Sequence, residues 1–257
     1  MTIESMNEFA DTLLRERDEA RRAGQEWWHA VVPLPASTGE IAALIDHTSL
    51  KADTVPDQIR VLCREAKEHR FASVCVNSRF VPLCVHELEG SGVPVAAVVG
   101  FPLGASSTTV KVCEAEDALR NGARELDLVI PVGLLKAGLI DEVFIDIAGV
   151  VEVARRHRAI VKVIIEACYL TDREKIAACL LSKGAGADFV KTSTGFGPRG
   201  ATPDDVALMR KAVGPSMGVK AAGGIRTKGV LLTMVRHGAN RIGASASVQI
   251  VGGSTSK

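Results

Sequence analysis

From about residue 41 onward, short apolar runs rich in β-branched residues alternate with segments of helical period that end in glycine-containing turns. Runs of this kind are typical of strands that are buried on both faces, as in a parallel sheet. We therefore predict eight strands, over Ile41–Asp46, Ala72–Asn77, Val95–Gly100, Glu125–Ile130, Ile160–Glu166, Asp188–Lys191, Gly218–Ala222 and Arg241–Gly243.

The segments between these strands carry signals for helix starts and ends. Thr202 precedes Pro203 and two acidic residues, which is the pattern of a helix N-terminus. Asn121-Gly122 is one of several pairs that indicate a helix end. We predict a shorter helix over Ser78–Glu89, a short last helix after Gly243, and longer helices over Pro56–His69, Thr108–Asn121, Asp141–His157, Asp172–Lys183, Pro203–Val213 and Lys228–His237.

Eight strands that alternate with helices form either a closed barrel or an open, doubly wound sheet. The glycine fingerprint of the nucleotide-binding open sheet does not follow the first strand. We therefore predict an α/β fold, a (β/α)₈ TIM barrel over residues 41–257. Residues 1–40 are predicted to be an N-terminal helical extension. Met1–Gly24 is densely charged and predicts a solvated helix, while Trp27 and Trp28 pack either on the barrel or at a subunit contact.

Composition and charge exclude several classes of function. The formal net charge is +1 and aromatic residues make up 4%, which argues against a nucleic-acid partner. No signal peptide is predicted, and the longest apolar runs are too short to span a membrane. The six cysteines form no CxxC pair, so we interpret them as reduced, buried side chains of a cytoplasmic protein. The six histidines lack the spacing of metal ligands, and no metal is predicted.

Three lysines interrupt otherwise apolar strands. Lys162, Lys191 and Lys220 are each 29 residues apart, which is one strand–helix unit, so they occupy comparable positions on neighbouring strands. Neighbouring strands lie about 4.8 Å apart, so we expect proximity, although strand stagger leaves direct contact open. Burial and a nearby like charge both lower a lysine pKa. One of these amines is therefore predicted to be neutral near pH 7, as a nucleophile that attacks a carbonyl must be.

The alternative interpretation is that each lysine forms a structural ion pair. Carboxylates are available in Glu125 and Asp127 on the fourth strand and Glu166 at the end of the fifth. Lys162 and Glu166 share one face of their strand, so this pair is expected to form a polar, partly structural layer.

Glycine-rich segments follow the last three strands. Lys191–Gly197 combines hydroxyl side chains with glycines, Ala222–Ile225 contains two glycines, and Gly243–Ser245 follows the eighth strand. Segments like these let backbone N–H groups approach an anion, and the loops after strands seven and eight are the usual phosphate site of this barrel. The sequence therefore predicts a phosphate-binding site at this end of the barrel.

Seven motifs occur in an order that resembles the deoxyribose-phosphate aldolases, a family of class I aldolases. The resemblance extends from about Ile41 to Ser245. The motifs are Asp46–Thr48, Cys75–Asn77, Gly100–Gly104, Glu125–Val129, Lys162–Glu166, Val190–Gly195 and Val219–Arg226. The resemblance implies reversible cleavage of 2-deoxy-D-ribose 5-phosphate into D-glyceraldehyde 3-phosphate and acetaldehyde through a lysine Schiff base, without a cofactor.

The resemblance also implies residue roles. Lys191 would form the Schiff base, Lys220 would keep it reactive and take part in proton transfer, and Asp127 would donate and accept protons. The residues expected at the substrate or its phosphate are Gly195, Gly223, Gly224, Ser245, Cys75, Thr48 and Lys162. A homo-oligomer, either a dimer or a tetramer, is expected.

The chain departs from the family pattern at three points. Ala246 follows Ser245 where many members have a second serine, so one hydroxyl near the phosphate is lost. The only tyrosine is Tyr169, so the proton-transfer role of a C-terminal tyrosine is absent or filled otherwise. The N-terminal extension is not explained by the resemblance. Two other functions stay open, namely a Schiff-base aldolase for another phosphorylated substrate and a barrel that only binds a sugar phosphate.

Overall fold

Eight parallel strands close into a barrel in chain order, which confirms the predicted fold class. The computed structural model describes residues 2–28 and 32–252. The strands are β1 (Ile45–Ser49), β2 (Ser73–Val76), β3 (Val95–Val99), β4 (Glu125–Val129), β5 (Ile160–Ile164), β6 (Phe189–Lys191), β7 (Gly218–Ala222) and β8 (Arg241–Ala244).

Helices surround this barrel on the outside. They are α1 (Ile3–Arg22), α2 (Thr38–Ala42), α3 (Pro56–His69), α4 (Val81–Glu87), α5 (Thr108–Arg120), α6 (Val132–Lys136), α7 (Ile140–Arg156), α8 (Asp172–Gly184), α9 (Pro203–Val213), α10 (Lys228–Arg236) and α11 (Ser247–Gly252). Across residues 2–28 and 32–252, we find no helix with the length and apolar character that a membrane crossing requires.

The first strand begins later than predicted. The prediction of a strand over Ile41–Asp46 is wrong at its start, because α2 (Thr38–Ala42) occupies that segment. The Ser37 hydroxyl accepts a hydrogen bond from the Glu40 N–H at 3.2 Å, and this cap begins a helix. Helix α2 therefore spans the predicted boundary between extension and barrel.

Three smaller differences concern the connections at the mouth of the barrel. The fifth strand ends at Ile164, because Glu166 has a φ of 50°, a left-handed conformation that a strand does not contain. The helix predicted over Ser78–Glu89 is divided into a 3₁₀ turn, Ser78–Phe80, and α4. Helix α6, after β4, was not predicted from the sequence.

The N-terminal extension is attached to the barrel more firmly than predicted. Helix α1 is not wholly solvated, because Met6, Ala10 and Leu13 are buried at intervals of three and four residues. This apolar stripe packs against α8. The charged residues that suggested a solvated helix lie mostly on the remaining faces.

Both tryptophans pack on the barrel, which is one of the two alternatives given by the sequence. Trp27 is buried, and the Lys211 ammonium on α9 lies 5.9 Å from the centroid of its ring. The rings of Trp28 and His237 are 4.4 Å apart between centroids, just after α10. The described residues do not include Met1, residues 29–31, or residues 253–257 at the end of the predicted barrel domain.

The main apolar core lies between the strands and the surrounding helices. A smaller apolar cluster is formed by Leu50, Cys75, Ala96 and Val98, with Phe101 packed against it. The prediction that all six cysteines are buried is wrong for two of them. Cys113 is exposed because it lies on the outer face of α5, and Cys168 is half-buried in a 3₁₀ turn after β5.

Candidate active site

The three lysines identified in the sequence converge on one carboxylate. Lys191 and Lys220 are directly in register, whereas Lys162 pairs with Phe189, two residues earlier on β6. Their side chains nevertheless reach Asp127 on β4. Lys191 Nζ and Lys220 Nζ each lie 2.7 Å from Asp127 Oδ2, and Lys162 Nζ lies 2.8 Å from Oδ1. The three lysines are therefore close together, as expected, and all three contact the same carboxylate.

Two further carboxylates and an arginine complete this buried cluster. Lys220 Nζ lies 2.5 Å from Asp46 Oδ2, and Lys162 Nζ lies 2.5 Å from Glu125 Oε2. Arg241 contacts Asp46 at 2.7 Å and Glu125 at 3.2 Å. Four cationic side chains thus face three carboxylates, so a fully ionised cluster carries one excess positive charge. A net charge in a buried site is costly, which favours the loss of one proton.

The contacts indicate which amine loses that proton. Burial is the largest influence on Lys191 and lowers its pKa, and the charge of Lys220 lowers it further, although Asp127 opposes both effects. Burial also acts to lower the pKa of Lys162 and Lys220, but their several carboxylate partners overcome it and raise both values. Lys191 has one carboxylate partner within contact distance, and its pKa is therefore the lowest of the three.

Lys191 is also the only one of these three lysines that lines the cavity at the mouth of the barrel. The cavity has a volume of about 450 Å³ and is formed by the segments that follow β1, β6, β7 and β8. Lys162 and Lys220 are fully buried beneath it. A carbonyl compound in the cavity can therefore reach the amine of Lys191 and not the amines of the other two lysines.

Four of the residues expected at the phosphate line the same cavity, namely Gly195, Gly223, Gly224 and Ser245. Gly223 has a φ of 87°, and a Cβ there would lie 2.9 Å from the Cα of Gly200, so only glycine fits this turn. The close approach leaves backbone groups, with no side chain, at Gly200 and Gly223 themselves. Thr48, the remaining expected residue here, lies at the β1 edge.

Two cationic residues at this end were missed by the sequence analysis. Lys51 and Arg226 both line the cavity and are exposed at its rim. Each follows a strand within a few residues, Lys51 after β1 and Arg226 after β7, and this position is the signal that could have identified them. Both supply positive charge next to the glycine turns.

Cys75 and Lys162, expected among the binding residues, do not line the cavity. Both are completely buried, because their side chains lie below the level of Lys191. Cys75 Sγ is 3.8 Å from Asp127 Oδ2, and burial raises the pKa of this thiol to about 11. Their positions are those of a packed thiol and of a member of the charged cluster.

The expected polar pair between Lys162 and Glu166 is not formed. Glu166 has a left-handed backbone conformation just after β5, and its buried carboxylate accepts a hydrogen bond from the Thr194 N–H at 3.2 Å. The Thr194 hydroxyl donates to the same carboxylate. This contact joins the segments after β5 and β6. Nearby, Phe101 and Phe196 meet edge to face, with 5.3 Å between ring centroids.

Residues 41–254 match the family described as DeoC/LacD family aldolase. The chain belongs to this family. The match covers the whole barrel and every residue of the lysine cluster, so the DeoC/LacD assignment and the site geometry refer to the same part of the chain.

Relatives with established names agree with the DeoC/LacD assignment. The chain is 56% identical over 217 residues to deoxyribose-phosphate aldolase 2 of Bacillus licheniformis, which covers 84% of this chain and 97% of that protein. It is 57% identical over 211 residues to the deoxyribose-phosphate aldolase of Bacillus cereus, covering 82% and 94%. Both are bacterial proteins.

Solved structures share the same fold. A crystal structure from Coccidioides immitis aligns with a TM-score of 0.86 at 42% identity, covering 98% of this chain and 97% of that one. The deoxyribose phosphate aldolase from Aeropyrum pernix, described as a unique tetramer, aligns with a TM-score of 0.81 at 35% identity, covering 85% and 92%. The first alignment extends into the N-terminal extension.

Proposed function

We propose that this protein cleaves 2-deoxy-D-ribose 5-phosphate reversibly into D-glyceraldehyde 3-phosphate and acetaldehyde through a Schiff base on Lys191. The observation that carries the proposal is that Lys191, alone among the three lysines that contact Asp127, faces the cavity, and its pKa is lowered. The names of the bacterial relatives support the substrate.

The reaction begins with attack by the neutral Lys191 amine on the aldehyde carbon of the open-chain sugar. Loss of water then gives a protonated imine, which withdraws electrons from the adjacent carbon. The bond between the second and third carbons of the sugar breaks as the proton leaves the hydroxyl of the third carbon. Glyceraldehyde 3-phosphate departs, and the electron pair remains on the enzyme-bound fragment as an enamine. Protonation of the enamine and hydrolysis release acetaldehyde and restore the amine.

Asp127 and Lys220 are proposed to move the protons. Asp127 Oδ2 contacts both Lys191 and Lys220, so one carboxylate oxygen connects the reacting amine to a second protonated amine. Burial acts to raise the pKa of Asp127, but the three lysines hold it well below its usual range. Asp127 is therefore ionised at the start of the reaction, so it can accept a proton, and it attracts the positive charge that appears at Lys191 when the imine forms.

The phosphate is proposed to bind between Gly195 and the turn at Gly223 and Gly224, with Ser245 at the side and Lys51 and Arg226 at the rim. Backbone N–H groups and two cations there complement a dianion. Binding of the non-reacting phosphate holds the aldehyde carbon near Lys191 and so lowers the barrier to attack.

A trapping experiment tests the proposal directly. We expect sodium borohydride to reduce the acetaldehyde adduct, leaving one ethyl group on Lys191 that peptide mass spectrometry locates. Modification of another lysine would refute the assignment of the nucleophile. Turnover of deoxyribose 5-phosphate, measured beside ribose and ketose phosphates, tests the substrate. Phosphate binding without any adduct would indicate a binding protein instead.

The pH dependence of this trapping is a second prediction. Because the pKa of Lys191 lies below the ordinary 10.5, we expect the trapping rate to rise with pH and to level off below that value. Lys220→Met removes the excess positive charge of the cluster, so Lys191 should keep its proton and the midpoint should move to higher pH. Trapping rates across a pH series in both proteins check this. A midpoint that stays unchanged in Lys220→Met would contradict the charge argument.

The assembly and location are also proposals. We propose a cytoplasmic homo-oligomer, either a dimer or a tetramer. The description of the Aeropyrum pernix relative as a tetramer supports self-association. Four cysteines buried as free thiols fit a reducing compartment.

A further inference from the structure

Helix α1 connects to the barrel through a chain of ion pairs that leads toward the cavity. Arg17 on α1 donates to Asp172 Oδ2, at the start of α8, at 2.6 Å. The other oxygen, Oδ1, accepts from Lys175 Nζ at 2.9 Å, one turn further along α8. The N-terminal extension is thereby linked to a side chain that is buried between α8 and α9.

The series of ion pairs continues to the segment after β6. Lys175 Nζ lies 2.7 Å from Asp205 Oδ1 in the first turn of α9, and Asp205 Oδ2 accepts from Arg199 Nη1 at 2.5 Å. The side chains of Lys175 and Asp205 are only 8% and 4% exposed, so salt screens their attraction far less than that of a surface pair. We call these five residues, from Arg17 to Arg199, the Arg17–Arg199 chain.

Arg199 belongs to the loop of residues 195–200, which borders the proposed phosphate site. This loop begins at Gly195 in the cavity and ends against the turn after β7. The Ala201 N–H donates to the carbonyl oxygens of Ala222 and Gly223 at 3.1 Å. A Cβ at Gly200 would lie 2.2 Å from the Gly223 oxygen, so the two turns are in direct backbone contact. The position of the loop therefore sets the separation of Gly195 and Gly223.

We propose that Arg17 is a positioning residue, through which α1 holds the 195–200 loop in the conformation that binds the substrate phosphate. The inference rests on the proposed function and concerns only its phosphate end. Helix α1 is itself anchored by its buried apolar stripe, so it is a rigid support. An exposed pair between Arg21 and Asp204, 2.9 Å apart, adds a second contact between α1 and α9.

A kinetic comparison separates this role from simple docking of the helix. In Arg17→Met we expect the KM for deoxyribose 5-phosphate to rise about 3- to 10-fold, because a displaced loop binds phosphate less well. Both kinetic constants for unphosphorylated deoxyribose, kcat and KM, should stay unchanged, since this substrate makes no phosphate contacts. Arg15→Met is the matched control, because Arg15 is exposed on the same helix and should leave all three constants unchanged.

Arg199, at the other end of the Arg17–Arg199 chain, provides a second variant. Arg199→Met should raise the same KM, and adding Arg17→Met to it should produce no further rise, because both changes interrupt one path. The Arg199 side chain is 43% exposed, so its removal opens no core and the test remains valid even if Arg17→Met loosens α1. Full additivity of the two effects would show that Arg17 acts independently of the loop.

Calorimetric titration with inorganic phosphate gives a readout that needs no turnover. We expect weaker phosphate binding by Arg17→Met and Arg199→Met than by the wild type and Arg15→Met. A wild type that does not cleave deoxyribose 5-phosphate would refute the proposed function, while the phosphate affinities would still test the positioning role. Equal phosphate affinity in the wild type and both variants would overturn the inference.

Discussion

Lys191→Leu is expected to reduce kcat/KM by about 10⁴-fold or more, because Lys191 is the only lysine of the cluster that faces the cavity. The fold should survive. Asp127 keeps its ion pairs with Lys162 and Lys220 when leucine replaces Lys191, so no buried charge is left without a partner. Steady-state kinetics with deoxyribose 5-phosphate, together with thermal unfolding, measure the two effects separately.

Lys67→Leu is the matched control for this variant. Lys67 is an exposed lysine near the end of α3, where its ammonium donates to the Glu87 carbonyl. It lies at the opposite end of the barrel from the cavity, so its loss should leave kcat/KM unchanged. Lys191→Leu must also fail to trap acetaldehyde with borohydride. Substantial residual turnover in Lys191→Leu, with a native unfolding curve, would mean that a different group forms the covalent intermediate.

The second large effect is expected for Asp127→Asn. This substitution removes the negative charge that three buried lysines share, so turnover should fall by about 10²- to 10⁴-fold as proton transfer is lost. The free energy of unfolding should fall by about 3–5 kcal/mol, the usual effect of removing one partner from a buried ion pair. Asp127 raises the pKa of Lys191, so its loss makes the protonated form of this amine less stable. The amine therefore remains able to attack acetaldehyde, and trapping should continue while turnover falls.

Asp146→Asn separates the catalytic effect from the loss of stability. Asp146 is also buried and lies 2.6 Å from the fully buried Lys111, but this pair joins α5 to α7 outside the barrel. We expect a comparable decrease in the free energy of unfolding with little change in kcat. If both aspartate variants reduced turnover equally, the role of Asp127 would be structural rather than in proton transfer.

Much of the barrel could be predicted because each of its strands is a local pattern. Strands buried on both faces, such as β5, require an apolar run in the sequence itself, and the helices between them carry caps of their own, such as Thr202 before α9. The prediction of the first strand failed at its start, because a side-chain cap begins a helix within the apolar run. Ile41 is apolar but lies in α2, because the Ser37 cap begins a helix there.

The sequence alone determined the fold class, the regular spacing of Lys162, Lys191 and Lys220, and the glycine segments after the last strands, because each of these is a property of residues near one another in the chain. Only the tertiary structure decided which of the three lysines faces the cavity and has a lowered pKa. That difference depends on the stagger of the strands and on the number of carboxylates within reach of each amine, and these carboxylates come from β1 and β4, not from the lysines' own strands. The path from α1 to the 195–200 loop likewise joins residues far apart in the chain, so no local pattern could reveal it.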